Sequence, residues 1–126
     1  MARILIVEDN PANLYLLEYL LTAHGHSTVT AMNGVEGLEQ LRAIRPDLVL
    51  CDLQMPRLDG YEVLREIRGD PGFAGIPVVA VTAYSMPGDR IRVTQAGFDG
   101  YLTKPFNPET VVAQIEGYLA AARDPP

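Results

Sequence analysis

The sequence contains a single cysteine, Cys51, among its 126 residues. One cysteine cannot form a disulfide within the chain, and no CxxC pair is present that could bind zinc or carry redox chemistry. Cys51 lies in an apolar run, where a free cysteine usually packs as a small hydrophobic residue. The class of small disulfide-stabilised secreted domains is therefore excluded, and a chain of this length can bury enough surface to fold without a structural metal.

Basic residues are also scarce, and they do not cluster. Ten lysines and arginines stand against sixteen aspartates and glutamates, which gives a net charge of -6. Proteins that bind nucleic acid directly usually carry a patch of Lys and Arg. We therefore do not expect DNA or RNA as a direct partner.

Long apolar runs are absent as well. No stretch approaches the roughly 20 apolar residues that a membrane-spanning helix needs. The first apolar run, residues 4–7, is too short for the core of a signal peptide. We therefore expect a cytoplasmic protein with no membrane partner.

Short apolar runs do occur, and they predict strands. A continuous run without alternating polar residues is typical of a parallel strand that is covered by helices on both faces. Three such runs are residues 4–7, 48–51 and 78–81, and two weaker candidates are Ser27–Ala31 and residues 100–102.

Between these runs the apolar residues change to helical spacing. The first helix is expected to begin at Asn10-Pro11, where Asn can cap and Pro suits the first turn, and to end near His24-Gly25. Alternating strands and helices predict one α/β domain, here residues 1–122, with a tail at residues 123–126. The predicted helices carry these apolar stripes: Leu14, Leu17 and Leu21; Val35, Leu38 and Leu41; Tyr61, Leu64 and Ile67; residues 89–96; and Val111, Ile115 and Leu119.

Charged and hydroxyl side chains follow four of the five predicted strands. They are Glu8 and Asp9, Asp52, Thr82 and, shortly after the fifth strand, Lys104. Ligands of an open parallel sheet bind at the carboxyl ends of its strands. Three neighbouring carboxylates must bind protons or a cation, and Mg²⁺ suits such a site because it takes carboxylates, waters and phosphate oxygens. Lys104 and Thr82 are then expected to bind a phosphate.

Four motifs together resemble the receiver domain of two-component response regulators. They are "RILIVED", "LVLCDLQMPRLDG", "VVAVTA" and "YLTKPF", and the resemblance covers about residues 3–119. It implies a flavodoxin-like, doubly wound sheet of five parallel strands in the order 2-1-3-4-5, with five helices. Because little chain follows the fifth predicted helix, we expect the stand-alone type that is similar to chemotaxis regulators.

The resemblance also implies the roles of the acidic residues. Asp52 would accept a phosphoryl group from a sensor histidine kinase or a histidine phosphotransfer protein. Asp9, Asp52 and the backbone carbonyl of Gln54 would hold Mg²⁺, and Glu8 would act mainly through water. Gln54 and Tyr84, each two residues beyond a site residue, would tune the lifetime of the phosphoryl group.

The same resemblance implies a switch. Thr82 and Lys104 would bind the phosphoryl oxygens, and the Lys104-Pro105 peptide bond would be cis, a form that proline makes accessible. Thr82 would shift towards the phosphoryl group and Tyr101 would turn inward behind it. Helix four, strand five and helix five would then form the surface for a downstream protein.

The loop after Asp52 offers a further expectation. Pro56, Asp59 and Gly60 would close it, with Gly60 adopting backbone angles that other residues resist.

Three alternatives stay open. A flavodoxin-like electron carrier would need a glycine- and hydroxyl-rich phosphate loop, and "EDNPAN" is acidic instead. A Mg²⁺-dependent phosphatase with an aspartyl nucleophile commonly has a second Asp at the position of Gln54. The chain could also be the receiver part of a hybrid kinase or multidomain regulator. We expect a signalling protein and not an enzyme, with at most self-phosphorylation from small donors and self-dephosphorylation.

Overall fold

The computed structural model describes residues 2–55, 58–83 and 87–123. The predictions for Pro56, Tyr84 and the tail beyond Arg123 therefore lie outside the described residues.

Strands and helices alternate along the chain and form one parallel sheet. The strands lie in the order β2-β1-β3-β4-β5, with helices α1 and α5 on one face and α2, α3 and α4 on the other. This confirms the predicted flavodoxin-like fold with five strands and five helices. The elements are β1 (Arg3–Val7), α1 (Pro11–Ala23), β2 (Ser27–Ala31), α2 (Gly34–Ile44), β3 (Leu48–Asp52), α3 (Gly60–Gly69), β4 (Val78–Thr82), α4 (Pro87–Ala96), β5 (Gly100–Thr103) and α5 (Val111–Arg123).

The central strands extend one residue beyond the predicted apolar runs. Asp52 pairs with Val81 across β3 and β4, and Thr82 pairs with Thr103 across β4 and β5. Strand pairing uses backbone groups, so a polar side chain does not end a strand. Both polar side chains are consequently fixed on the sheet itself and not on a loop.

Each central strand supplies side chains to both hydrophobic layers. On β1, Leu5 and Val7 belong to the layer under α2, α3 and α4, whereas Ile4 and Ile6 belong to the layer under α1 and α5. This alternation follows from the twofold side-chain period of a strand. It explains why the strand sequences are apolar without interruption.

Helix α2 corrects one predicted core position. Val35 was expected on the buried stripe, but its side chain is 36% exposed. The helix approaches the core through glycines instead: a Cβ atom at Gly37 would lie 2.9 Å from Cγ2 of Val7, and one at Gly34 would lie 2.5 Å from the carbonyl oxygen of Leu58. The prediction was wrong because a glycine face leaves no hydrophobic signal in the sequence.

Asn10 caps helix α1 as predicted, and loss of its side chain should measurably lower the stability of the protein. Its Oδ1 accepts hydrogen bonds from the backbone N–H groups of Ala12 at 3.0 Å and Asn13 at 3.1 Å. We expect Asn10→Ala to lower the free energy of unfolding by about 1 kcal/mol in urea denaturation, because these donors lose their partner. Asn10→Ser, which keeps a side-chain acceptor, should recover most of the loss, and equal stability of wild type and Asn10→Ala would contradict this role.

Candidate functional site

Side chains from three strand ends meet at the carboxyl edge of the sheet. Glu8 follows β1, Asp52 ends β3 and Lys104 follows β5. The two carboxylates are almost entirely buried, with 1% exposure for Glu8 and 3% for Asp52. Buried charges are costly unless they are paired, so their partners define the site.

Lys104 is the common partner of both carboxylates. Its Nζ donates to Oδ2 of Asp52 at 3.0 Å and to Oε2 of Glu8 at 3.2 Å. The other oxygen of Glu8, Oε1, lies 3.0 Å from the same Nζ as an ion pair, but it accepts no hydrogen bond from any described residue. One ammonium group therefore neutralises two carboxylates only in part.

The pKa values of this group reflect that imbalance. Burial, together with the neighbouring Asp52, raises the pKa of Glu8 to about 7, although Lys104 opposes the rise. Burial alone would lower the pKa of Lys104, but the hydrogen bonds with Glu8 and Asp52 outweigh it, and the pKa is raised. Lys104 therefore stays charged, whereas Glu8 is readily protonated near neutral pH.

A third carboxylate completes an acidic group. One oxygen each of Glu8, Asp9 and Asp52 can be chosen so that the three lie within 4.8 Å of one another. Hard cations such as Mg²⁺ prefer this type of ligand, and they keep several waters. The residues fit such a cation, because Glu8 Oε1 has no hydrogen-bond donor and Asp9 is only partly buried, which leaves room for water.

The backbone after β3 orients the Asp52 carboxylate. The N–H of Gln54 donates to Oδ1 of Asp52 at 3.0 Å, while Oδ2 faces Lys104. Sequence reasoning assigned Gln54 a carbonyl role and missed this N–H, because no side-chain pattern reports where a loop amide points. An open cavity of about 520 Å³ lies beside the loop after β3, and its lining includes Asp9, Gln54 and Met55.

The expectation for Gly60 was wrong in its physical reason. Among the described glycines only Gly25 and Gly97 have positive φ, so Gly60 does not need unusual backbone angles. Glycine is needed for close approach instead, since a Cβ atom there would lie 2.6 Å from the carbonyl oxygen of Asp52 and 2.8 Å from Cα of Leu53.

The residue before Gly60 has a clear local role. Asp59 begins helix α3 with a capping box, in which its side chain accepts from the N–H of Glu62 and the Glu62 side chain accepts from the N–H of Asp59. The box fixes the start of α3 directly beside the Asp52 loop.

The remaining predicted residues lie on the last two strands or directly after them. Thr82 is buried at the end of β4, and its carbonyl oxygen accepts the backbone N–H of Lys104 at 2.8 Å. The Lys104-Pro105 peptide bond is cis. Tyr101 lies half-buried on β5, three residues before Lys104, with the guanidinium of Arg90 over its ring.

Comparison with protein families gives a match over most of the chain. The family model described as the response regulator receiver domain matches residues 4–116. In the part of the chain that the structure describes, no helix has the length and apolar character needed to cross a membrane.

Curated relatives and solved structures agree with this match. The polar-differentiation response regulator DivK of Brucella anthropi is 40% identical over 119 residues, which cover 94% of this chain and 97% of the relative. The chemotaxis response regulator CheY4 of Vibrio cholerae has a similar structure, with a TM-score of 0.88 and 28% identity over 94% of this chain and 98% of its own. The receiver domain of a Pseudomonas aeruginosa sensor histidine kinase, which has a magnesium ion coordinated in its active site cleft, gives a TM-score of 0.85 and 34% identity with the same coverage of 94% and 98%.

Proposed function

The chain belongs to the receiver domain family of response regulators, and from this premise we propose that Asp52 accepts a phosphoryl group from a sensor histidine kinase or a histidine phosphotransfer protein. The proposed receiver domain spans residues 1–122. The phosphorylated protein would signal by binding another protein and not by catalysing a reaction.

The orientation of Asp52 is the observation that carries this proposal. Its Oδ1 is held by the N–H of Gln54 and its Oδ2 by Lys104, at the end of a buried strand. Phosphoryl transfer requires mainly an in-line acceptor and neutralisation of charge. An oxygen of Asp52 would attack phosphorus, the P–N bond of phosphohistidine would break, and its electron pair would return to the imidazole.

Asp9, Asp52 and the Gln54 carbonyl would hold Mg²⁺, with Glu8 acting through water. When bound, Mg²⁺ would neutralise charge on the phosphoryl oxygens. The acidic group formed by Glu8, Asp9 and Asp52 supports this assignment.

Two further side chains would bind the phosphoryl oxygens. Lys104 already lies 3.0 Å from Oδ2 of Asp52, so its positive charge is next to the atom that would carry the new group. Thr82 would donate its hydroxyl and, together with Tyr101, form the switch. Gln54 would influence the access of hydrolytic water.

The surface formed by α4, β5 and α5 would contact the downstream protein, since it contains Tyr101. A cytoplasmic location is part of the same proposal. So is the absence of direct contact with nucleic acid, which the net charge of -6 supports.

Intact-mass measurement tests the proposal. Incubation with acetyl phosphate and Mg²⁺ should add one phosphoryl group to the wild-type protein, and no addition should occur in Asp52→Asn or after metal chelation. Asp70→Asn is a matched control, because Asp70 follows the far end of α3 and its side chain accepts a local hydrogen bond from the N–H of Gly72. Labelling of Asp52→Asn, or sustained hydrolysis of phosphate esters by the wild type, would contradict the proposed function.

A further inference from the structure

The backbone of Tyr101 is bound by a side chain of helix α5. The hydroxyl oxygen of Tyr118 accepts the N–H of Tyr101 at 3.4 Å and donates to its carbonyl oxygen at 3.3 Å. A tyrosine hydroxyl can do both at once. Because β5 is the last strand of the sheet, these backbone groups face away from β4, and Tyr118 occupies the edge where another strand could pair.

Gly100 makes this arrangement possible. A Cβ atom at position 100 would overlap ring atoms Cε1 and Cζ of Tyr118. The ring of Tyr118 therefore lies directly against the backbone of β5. Movement of Tyr101 along or away from the sheet edge would act on α5 through this contact.

The side chain of Tyr101 is contacted from the other flanking helix. The guanidinium carbon of Arg90, on α4, lies 5.3 Å from the centre of the Tyr101 ring, within the range of a cation–π contact. The ring is half-buried. Tyr101 is thus held at its backbone by α5 and at its ring by α4.

We propose that Arg90 and Tyr118 are positioning residues that keep Tyr101 in this orientation and oppose its movement when Asp52 carries a phosphoryl group. This inference rests on the function proposed above. If binding of a ligand breaks a contact in the protein, then by reciprocity the presence of that contact lowers the affinity for the ligand. Loss of either contact should therefore strengthen binding of a phosphoryl group, or its mimic, at Asp52.

Titration with beryllium trifluoride in the presence of Mg²⁺ measures this effect. The amide NMR signals of the loop after Asp52 would report half-saturation. We expect the half-saturating concentration of beryllium trifluoride to fall about two- to fivefold in Arg90→Met and in Tyr118→Phe. A change of this size is expected for the loss of one cation–π contact or of a pair of long hydrogen bonds. Met keeps a long side chain without charge, and Phe keeps the ring against Gly100.

Matched controls are available for both variants. Arg45→Met removes an arginine that follows α2, at the opposite end of the sheet from Asp52, and whose guanidinium carbon lies 4.8 Å from the centre of the Phe73 ring, and Tyr15→Phe removes the hydroxyl of a tyrosine that is 70% exposed. Neither should change the half-saturating concentration. In a Tyr101→Leu background, Arg90→Met should lose its effect.

The outcomes separate the two proposals. Shifts no larger than those of the controls, or shifts that persist in the Tyr101→Leu background, would overturn the positioning role. A lower free energy of unfolding without a change in half-saturation would show a purely structural role and would overturn it as well. If the wild-type protein neither binds the mimic nor gains a phosphoryl group, the proposed function itself fails, and this inference fails with it.

Discussion

Replacement of Gly60 by alanine is expected to lower the free energy of unfolding by about 2–3 kcal/mol, the upper part of the range for overpacking. The new methyl group would lie 2.6 Å from the carbonyl oxygen of Asp52 and 2.8 Å from Cα of Leu53. Both are backbone atoms next to β3, so no flexible side chain can move aside. The higher helix propensity of alanine, worth about 1 kcal/mol, does not offset this overlap.

The same helix provides a control for the Gly60 variant. A Cβ atom at Gly69, the last residue of α3, would have no described atom within 4 Å apart from its chain neighbours and the backbone of its own helix. The same holds for Gly117 inside α5. Gly117→Ala should raise stability by about 0.5–1 kcal/mol, and Gly69→Ala should change it little. Urea denaturation with linear extrapolation measures all three variants.

A functional effect should accompany the loss of stability. Gly60→Ala can be accommodated only by a shift of the backbone at Asp52 and Leu53, which would also move the carboxylate away from Gln54 and Lys104. Where the variant is still folded, labelling of Asp52 by acetyl phosphate should be slower than in the wild type. Wild-type stability together with wild-type labelling would show that the loop yields without cost and would contradict this prediction.

Much of the fold could be predicted because its signals are local. Uninterrupted apolar runs predicted the buried strands, and Asn10-Pro11 and His24-Gly25 predicted the two ends of α1. Charged residues directly after these runs could be assigned to one edge of the sheet, since parallel strands end on the same side. The grouping of Glu8, Asp9 and Asp52 could therefore be predicted from the sequence.

Contacts between distant segments had no such signal. Arg68 on α3 donates to the carbonyl oxygens of Ala74, Ile76 and Gly97 and to the carboxylate of Asp99, and so joins α3 to the segments before β4 and β5. In the sequence it is one more arginine on a helix. Its role depends on where the segments before β4 and β5 meet α3, which side-chain periodicity does not encode.

The contact of Tyr118 with Gly100 shows the same limit. A tyrosine in the last helix and a glycine at the start of the last strand are each common, and 17 residues separate Tyr118 from the backbone that it binds. The interaction requires the crossover to bring α5 over the sheet edge. Sequence reasoning therefore found Tyr101 but not the residues that hold it.

Without a bound cation, Glu8 should make the protein more stable at pH 4.5 than at pH 8. The expected contribution to the free energy of unfolding is about 3 kcal/mol, since one pKa unit corresponds to about 1.4 kcal/mol. Burial and the neighbouring Asp52 raise the pKa of Glu8 from 4.5 to about 7 in the folded protein. Between these values the folded state retains a proton that the unfolded state has released. The free energy of unfolding contributed by this group is therefore fully present below pH 4.5 and is lost as the pH rises through 7.

The variant Glu8→Gln isolates this contribution from that of other titrating groups. Because its amide carries no charge, the variant should match the wild type near pH 4.5 and exceed it at pH 8 by up to about 3 kcal/mol in urea denaturation with excess chelator. Glu39→Gln, at an exposed position on α2, should leave the pH dependence unchanged. If the difference in stability between the wild type and Glu8→Gln did not change between pH 4.5 and 8, Lys104 would compensate the buried carboxylate fully. That result would contradict the raised pKa of Glu8.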